Sequence, residues 1–200
     1  MTRPRALFAL SMALSCAPAF AADMIRVVNE GGIRDEWTLP AGYKLALPAY
    51  PAEHAGQQTE ACVAIGYLIN PDGSTSDFAL LKSWTSANVA SGSSREYWSA
   101  FAQASAQAMS QWRFQPRPEV QAPRPVYTVA TLLFAAQTPQ LRGQCAIPDL
   151  AAKLRELRAN RDSRRRMDVD LYDRLNLDPL RYERDEQGRD SRETGARRTP

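Results

Sequence analysis

A disulfide between two cysteines is the side-chain chemistry that this sequence supports best. Cys62 and Cys145 are left when the first 21 residues, which contain Cys16, are interpreted as a cleaved signal peptide. In an oxidising compartment an even pair favours a disulfide. The bridge would join the start of a strand to the chain beyond the last strand, and a loop of this length stabilises a fold by roughly 4 kcal/mol. Two buried free thiols are the alternative.

Catalytic and metal-binding chemistry has little support. His54 is the single histidine, so a nucleophile–histidine pair or a histidine metal site would have to use it. A surface helix position is the simpler interpretation of this residue. Asp72 belongs to a turn and Asp77 to the polar face of a strand, and no glycine-rich phosphate loop occurs in the sequence. We therefore expect no enzyme, no metal site and no cofactor.

A β-hairpin is predicted where apolar residues alternate on both sides of a turn. Residues Ala61–Ile69 carry their larger apolar side chains at every second position, which is typical of a strand with one apolar face. The Asn-Pro-Asp-Gly sequence at 70–73 supplies a fixed φ at Pro71 and a glycine that accepts positive φ. A return strand is predicted over residues 76–84. Its apolar face is expected to carry Phe78, Leu80 and Trp84.

A helix is predicted after the hairpin. Ser93 and Glu96 have the spacing of a capping box, so the helix should begin close to Ser94. Its apolar residues lie three, four and seven positions apart and can pack across the hairpin, which stabilises the fold by roughly 1.5–3 kcal/mol per buried side chain. This stripe comprises Trp98, Phe101, Ala102, Ser105, Met109 and Trp112. A further strand is predicted over residues 126–134.

Together these features resemble the C-terminal domain of the TonB energy-transducer family. The family order runs from Tyr50-Pro51, through the Asn-Pro-Asp-Gly turn and Ser83-Trp84-Thr85-Ser86, to Trp112-Arg113-Phe114-Gln115-Pro116. The last motif follows an alanine-rich helix and is the most specific one. The resemblance covers about residues 50–134. We therefore expect an α+β fold in which one long helix packs across a small antiparallel sheet.

The resemblance also implies a partner. In this family the domain takes up an extended segment of an outer-membrane transporter as an added strand. Such binding needs an edge strand, which we expect around residues 112–116 or within 126–134 because both cannot be interior in so small a sheet. The candidate peptide-binding residues are Trp112, Arg113, Phe114, Gln115, Val126, Thr128 and Ala130.

The first 21 residues have the pattern of a secretory signal. Arg3 and Arg5 precede an apolar run, and Ala19-Phe20-Ala21 matches a signal-peptidase site. The run is shorter than the roughly 20 residues that cross a bilayer. We therefore expect a periplasmic protein without a membrane span after signal removal. A lipoprotein signal that uses Cys16 is the alternative.

The rest of the chain is predicted to have three parts. Residues 22–49 are an N-terminal extension with one possible strand at 24–28, residues 50–147 are the TonB-like domain, and residues 148–200 are a charged tail. Full-length transducers of the family carry a membrane anchor and a proline-rich spacer, and we expect neither here. The role of the extension stays open.

The charge distribution argues against one class of partner. Residues 22–147 carry nine Lys or Arg against ten Asp or Glu, and residues 148–200 carry fourteen against twelve. This near balance gives no electrostatic basis for nucleic-acid binding. Protein partners are therefore favoured over nucleic acid.

The tail is predicted to be helical first and disordered over about its last fifteen residues. Its apolar positions form two sets, which indicate packing on another surface: Leu150, Leu154 and Leu157, then Val169, Tyr172 and Leu175. Arg164-Arg165-Arg166 supports an alternative function, in which the protein is a structural scaffold that contacts the acidic cell envelope. If the tail covers the peptide-binding edge, its deletion should strengthen peptide binding.

Overall fold

The computed structural model describes residues 24–56, 59–87, 89, 94–160 and 169–177. The strands are β1 (Ile25–Val27), β2 (Trp37–Thr38), β3 (Ala61–Ile69), β4 (Thr75–Thr85), β5 (Gln115–Pro116), β6 (Val126–Phe134) and β7 (Leu175–Asn176). The α-helices are α1 (Ser94–Met109), α2 (Pro139–Cys145), α3 (Leu150–Ala159) and α4 (Val169–Arg174). Two short 3-10 helices span Gly32–Asp35 and Ala52–His54.

Five strands form one mixed sheet in the order β4-β3-β6-β1-β7. β3 is antiparallel to both of its neighbours, β4 and β6. β1 is parallel to β6 and to β7, and β2 and β5 form a separate antiparallel pair. The α+β class is confirmed, and the expected antiparallel sheet is the centre of a larger one. The two added strands come from the N-terminal extension, where β1 lies within the possible strand at residues 24–28, and from the tail, where no strand was predicted.

The turn between β3 and β4 forms at the predicted glycine. The Gly73 N–H donates to the Asn70 carbonyl at 2.8 Å, and Gly73 has a φ of 79°. A Cβ at this position would lie 1.8 Å from the carbonyl oxygen of Phe114, so a side chain is excluded here. Asp72 accepts from the Ser74 N–H at 2.9 Å and from its hydroxyl. These bonds hold the pKa of the Asp72 carboxyl below its usual value.

The return strand changes face partway along its length. Leu81 has no partner opposite it in the β3–β4 ladder, because the register shifts there. This bulge places Trp84 opposite Cys62, on the other face of the sheet from Leu80. The prediction that Trp84 shares a face with Phe78 and Leu80 is therefore wrong.

Helix α1 covers the first face of the sheet. It begins at Ser94, close to the predicted position, while Ser93 of the predicted capping box lies outside the described residues. In the predicted stripe, four residues are buried and Trp98 and Ala102 are partly buried against the same core. The core on this face includes Val63, Ile65, Tyr67, Ile69, Phe101, Met109 and Trp112. Burial of these side chains stabilises the helix on the sheet.

The tail covers the second face, so both faces of β3 are buried. Leu150 and Leu154 of α3 are fully buried, as the predicted leucine stripe requires. The second apolar set is only partly buried: Val169 is 64% exposed, whereas Tyr172 and Leu175 are buried. This second core is mainly aliphatic, with two tyrosines, and includes Ala64, Leu68, Ala79, Leu81, Tyr127 and Val129.

A disulfide joins the sheet to the chain after β6. Cys62 in β3 and Cys145 at the end of α2 are bonded, with their Cα atoms 6.0 Å apart and both side chains fully buried. Thr138 caps α2 and accepts a hydrogen bond from the Leu141 N–H at 3.1 Å. The bridge therefore fixes a short helix against the sheet at the end of β6.

Several predictions concern residues outside the described part of the chain. The signal sequence, Arg164-Arg165-Arg166 and the last fifteen residues all lie there. In the part that the structure does describe, no helix is both long enough and apolar enough to span a bilayer.

Candidate peptide-binding groove

β5 and β6 are the two strands that were expected to provide an edge. Each of them pairs with a strand from the N-terminal extension. β5 lies outside the main sheet, with Gln115 opposite Thr38 of β2. β6 lies between β3 and β1, and Arg26 is opposite Val126. The prediction that one of these two strands lies at a sheet edge therefore holds for β5, which borders only β2 in its two-stranded sheet, and is corrected for the start of β6, which β1 covers. The cause is the N-terminal extension, which supplies both β1 and β2.

The pairing of β1 with β6 stops after two residues. Val27 lies opposite Tyr127, and the Val28 N–H donates to the Tyr127 carbonyl at 3.0 Å. The chain then turns away at Gly31, which has a φ of 82°. Over residues 128–134, a length of about 23 Å, no strand of the described chain pairs with this side of β6. This stretch is named here the open edge.

A groove with a volume of about 540 Å³ runs beside the open edge. One wall is β6 itself, and the opposite wall is formed by residues of the N-terminal extension, among them Ile33, Leu45, Leu47 and Pro48. Leu47 is 76% exposed, so this wall presents an apolar side chain to solvent. The extension therefore both shortens the edge and builds the far side of the groove.

The floor of the groove is aromatic. The Tyr67 ring meets the Trp112 ring edge to face at 5.7 Å and stacks on the Phe114 ring at 6.4 Å. The indole N–H of Trp112 donates to the Ala46 carbonyl at 2.8 Å, which ties the floor to the far wall. Burial raises the pKa of the Tyr67 hydroxyl, and the negative charge of Glu30 raises it further. The phenol therefore stays protonated and able to donate.

The seven candidate peptide-binding residues divide into three groups. Trp112 and Phe114 lie in the floor, and Thr128 and Ala130 lie on the open edge. Val126 is covered by β1. Arg113 and Gln115 do not line the groove: they are exposed, and Arg113 donates to two carbonyls of its own turn.

Two groove residues could not be found by sequence reasoning. Glu30 accepts from the Thr131 N–H at 2.9 Å and from the Thr131 hydroxyl at 2.8 Å. Arg142 donates to the Thr131 carbonyl at 3.3 Å and to the Glu30 carboxylate at 3.3 Å. Glu30 lies 101 positions before Thr131 and Arg142 lies 11 positions after it, and no motif links the three residues.

The opposite side of the sheet also ends in a strand with an unpaired edge, β4. This edge is interrupted by two register shifts, and Asp77 there has a φ of 55°. Lys82 is exposed on the same strand and donates to the Ala146 carbonyl at 3.2 Å. Bulges and charges of this kind discourage pairing with another chain.

The tail does not cover the open edge with any of its described residues. α3 and α4 pack on the second face of the sheet, and β7 pairs with β1. Deletion of the tail was expected to strengthen peptide binding only if the tail covers the peptide-binding edge, and residues 148–160 and 169–177 do not meet this condition. Because Leu150 and Leu154 are buried in the second core, deletion of the tail would expose that core.

Comparison with known proteins finds similarity among solved structures. No family model matches the chain, and no curated protein matches it. The chain is similar to the solution NMR structure of the TonB C-terminal domain of Pseudomonas aeruginosa, with 21% identity and a TM-score of 0.36. The similarity covers 48% of this chain and 85% of that domain.

Proposed function

We propose that this protein is a periplasmic peptide-binding module that takes up an extended segment as an added strand along residues 128–134 of β6. The observation that carries the proposal is the open edge beside a groove with an aromatic floor. Main-chain groups of β6 provide affinity, and the groove receives alternate side chains of the peptide. A peptide with an apolar residue at every second position fits this floor.

A comparison of β4 with the part of β6 that β1 does not cover supports this choice of site. β4 carries bulges and a charged lysine, whereas β6 beyond Tyr127 is flanked by a groove that Tyr67, Trp112 and Phe114 line. An apolar floor beside a strand edge that no other strand covers is what strand addition needs. The open edge is therefore the better docking site.

The proposed partner is an extended segment of an outer-membrane transporter, in a role related to transport. This choice follows from the TonB-like motifs at residues 50–51, 70–73 and 112–116. The secretory pattern of residues 1–21 supports a periplasmic location, and the disulfide between Cys62 and Cys145 suits an oxidising compartment. A transporter segment that extends into the periplasm would meet the protein on that side of the inner membrane.

Calorimetric titration with synthetic transporter peptides tests the proposal. The main-chain groups of every second residue in a strand point to the same side. Tyr127 and Thr131 both form main-chain hydrogen bonds on the side of β6 that faces away from β3. The N–H of Val129, which lies two residues from each, therefore points to that side as well. Val129→Pro removes this donor and should reduce affinity at least about tenfold, because proline cannot pair in a ladder. Val129→Ala is the matched control for the lost side chain and should bind like the wild type. Equal binding by both variants, or no binding of any peptide by the wild type, would refute the proposal.

The alternative function is a scaffold that contacts the cell envelope through the arginine-rich tail. Its key residues, Arg164-Arg165-Arg166, lie outside the described part of the chain. The docking of α3 and α4 on the sheet is compatible with either function. The open edge is a specific feature that only peptide binding uses.

A further inference from the structure

One residue of the open edge has both of its main-chain groups occupied by side chains. The Thr131 N–H donates to Glu30, and the Thr131 carbonyl accepts from Arg142. These are the groups that an added strand would bond, because Tyr127, four residues earlier and facing the same side of β6, uses its carbonyl to pair with β1. The carboxylate takes the place of a strand carbonyl, and the guanidinium takes the place of a strand N–H.

The two side chains also hold each other. Arg142 Nη1 lies 3.3 Å from Glu30 Oε1, and the Thr131 hydroxyl donates to Glu30 Oε2 at 2.8 Å. The set of Glu30, Arg142 and their bonds to Thr131 is named here the latch. It closes the middle of the open edge, between Tyr127 and Leu133.

Glu30 and Arg142 are each held in position by a neighbouring part of the fold. Arg142 belongs to α2, whose last residue, Cys145, is bonded to β3. Glu30 follows Asn29, whose side-chain oxygen accepts from the Leu150 N–H at 2.8 Å at the start of α3. The tail therefore positions the latch through Asn29, although it lies on the other face of the sheet.

We propose that the latch is a releasable cover of the peptide-binding edge, and this inference rests on the proposed function. The side chains of Glu30 and Arg142 are 36% and 51% exposed, so their ion pair is weak and breaks at low cost. A peptide pairing along the whole groove must first remove both side chains from Thr131. The latch thus lowers affinity and shields the edge from unwanted pairing when no peptide is bound.

Calorimetry on the full oxidised protein tests the latch, with the transporter peptides as probes. Glu30→Ala and Arg142→Gln should each bind about five- to tenfold more tightly than the wild type, because the peptide no longer competes with a side chain. Glu156→Ala is the matched control: it removes a carboxylate from the exposed Lys153–Glu156 pair on α3, away from the groove. It should bind like the wild type.

Amide hydrogen exchange gives a second readout that needs no peptide. Thr131 should exchange faster in Glu30→Ala than in the wild type, while Ile65 at the centre of β3 should be unchanged. Equal peptide affinity in Glu30→Ala and the wild type would overturn the latch and leave the proposed function standing. If no variant binds any peptide, the proposed function and its regulation both fail, and unchanged exchange at Thr131 would show that the latch does not form.

Discussion

β4 and β6 are the two outer strands of the antiparallel centre of the sheet. They are protected from pairing with another chain in different ways. β4 is protected by its own sequence, with two register shifts and the exposed Lys82. β6 is protected by other parts of the chain: β1 pairs with its first two residues, and the latch occupies Thr131. Protection built into a strand is permanent, whereas protection by side chains can be released. Under the proposed function, this difference explains why β6, and not β4, receives the peptide.

The floor beneath the open edge provides the largest expected effect. Trp112→Ala should reduce the free energy of unfolding by about 3–5 kcal/mol, because the indole is buried and bonded to the Ala46 carbonyl. Chemical denaturation measures this loss. In the fraction that stays folded, peptide affinity at β6 should fall. A loss below roughly 1 kcal/mol would mean that the floor is not packed as described.

The sequence predicted the centre of the fold well and its outer parts poorly. Alternation over Ala61–Ile69 and the apolar stripe of α1 specify local elements and one shared face. The pairing of β1 and β7 was missed because two strands of three and two residues carry almost no periodic signal. The face of Trp84 was misassigned since a single extra residue, Leu81, reverses all later positions.

The candidate site was predicted only in part, for a similar physical reason. The motif at residues 112–116 contributed Trp112 and Phe114, which form the floor. Glu30 and Arg142 reach Thr131 across 101 and 11 sequence positions, so their contacts depend on tertiary structure alone. An expected edge strand can be inferred from a family pattern, but what covers it cannot.

The disulfide should affect the β6 side more than the β4 side. Replacing Cys62 and Cys145 together by Ser should lower the free energy of unfolding by about 4 kcal/mol, because the bridge closes a long loop. It should also free α2, and with it Arg142 of the latch. Urea denaturation of the oxidised wild type and the double variant measures the change. Alkylation of the unreduced wild type is the control, and readily labelled thiols would contradict the bridge.

The second core provides a test that separates stability from binding. Leu154→Ala should cost about 2–5 kcal/mol, because the side chain is fully buried between α3 and the sheet. Peptide affinity should stay within about twofold of the wild type, since Leu154 does not line the groove. Denaturation and calorimetry on the same sample give both values. A large loss of affinity with little loss of stability would place the binding site on the tail face instead.

The turn beside β4 gives the smallest expected effect. Because Ser74 lowers the pKa of Asp72, the ionised carboxyl stabilises the native turn above the pKa of the unfolded state. This contribution is lost as the pH falls through the lowered native pKa. Carboxyl NMR titration should show a midpoint below the usual value, and Ser74→Ala should move it upward. Peptide affinity at β6 should not change in Ser74→Ala. A change in both the Asp72 titration midpoint and the peptide affinity would show that the two edges are coupled.

A chemical-shift map of both edges is the most direct test of the central claim. The labelled full-length protein is titrated with a transporter peptide, and the amide signals of β4 and β6 are followed together. We expect shifts concentrated at residues 128–134 and at Trp112 and Phe114, with β4 unaffected. Shifts concentrated along Thr75–Thr85, or an absence of shifts on both strands across a panel of peptides, would contradict the account.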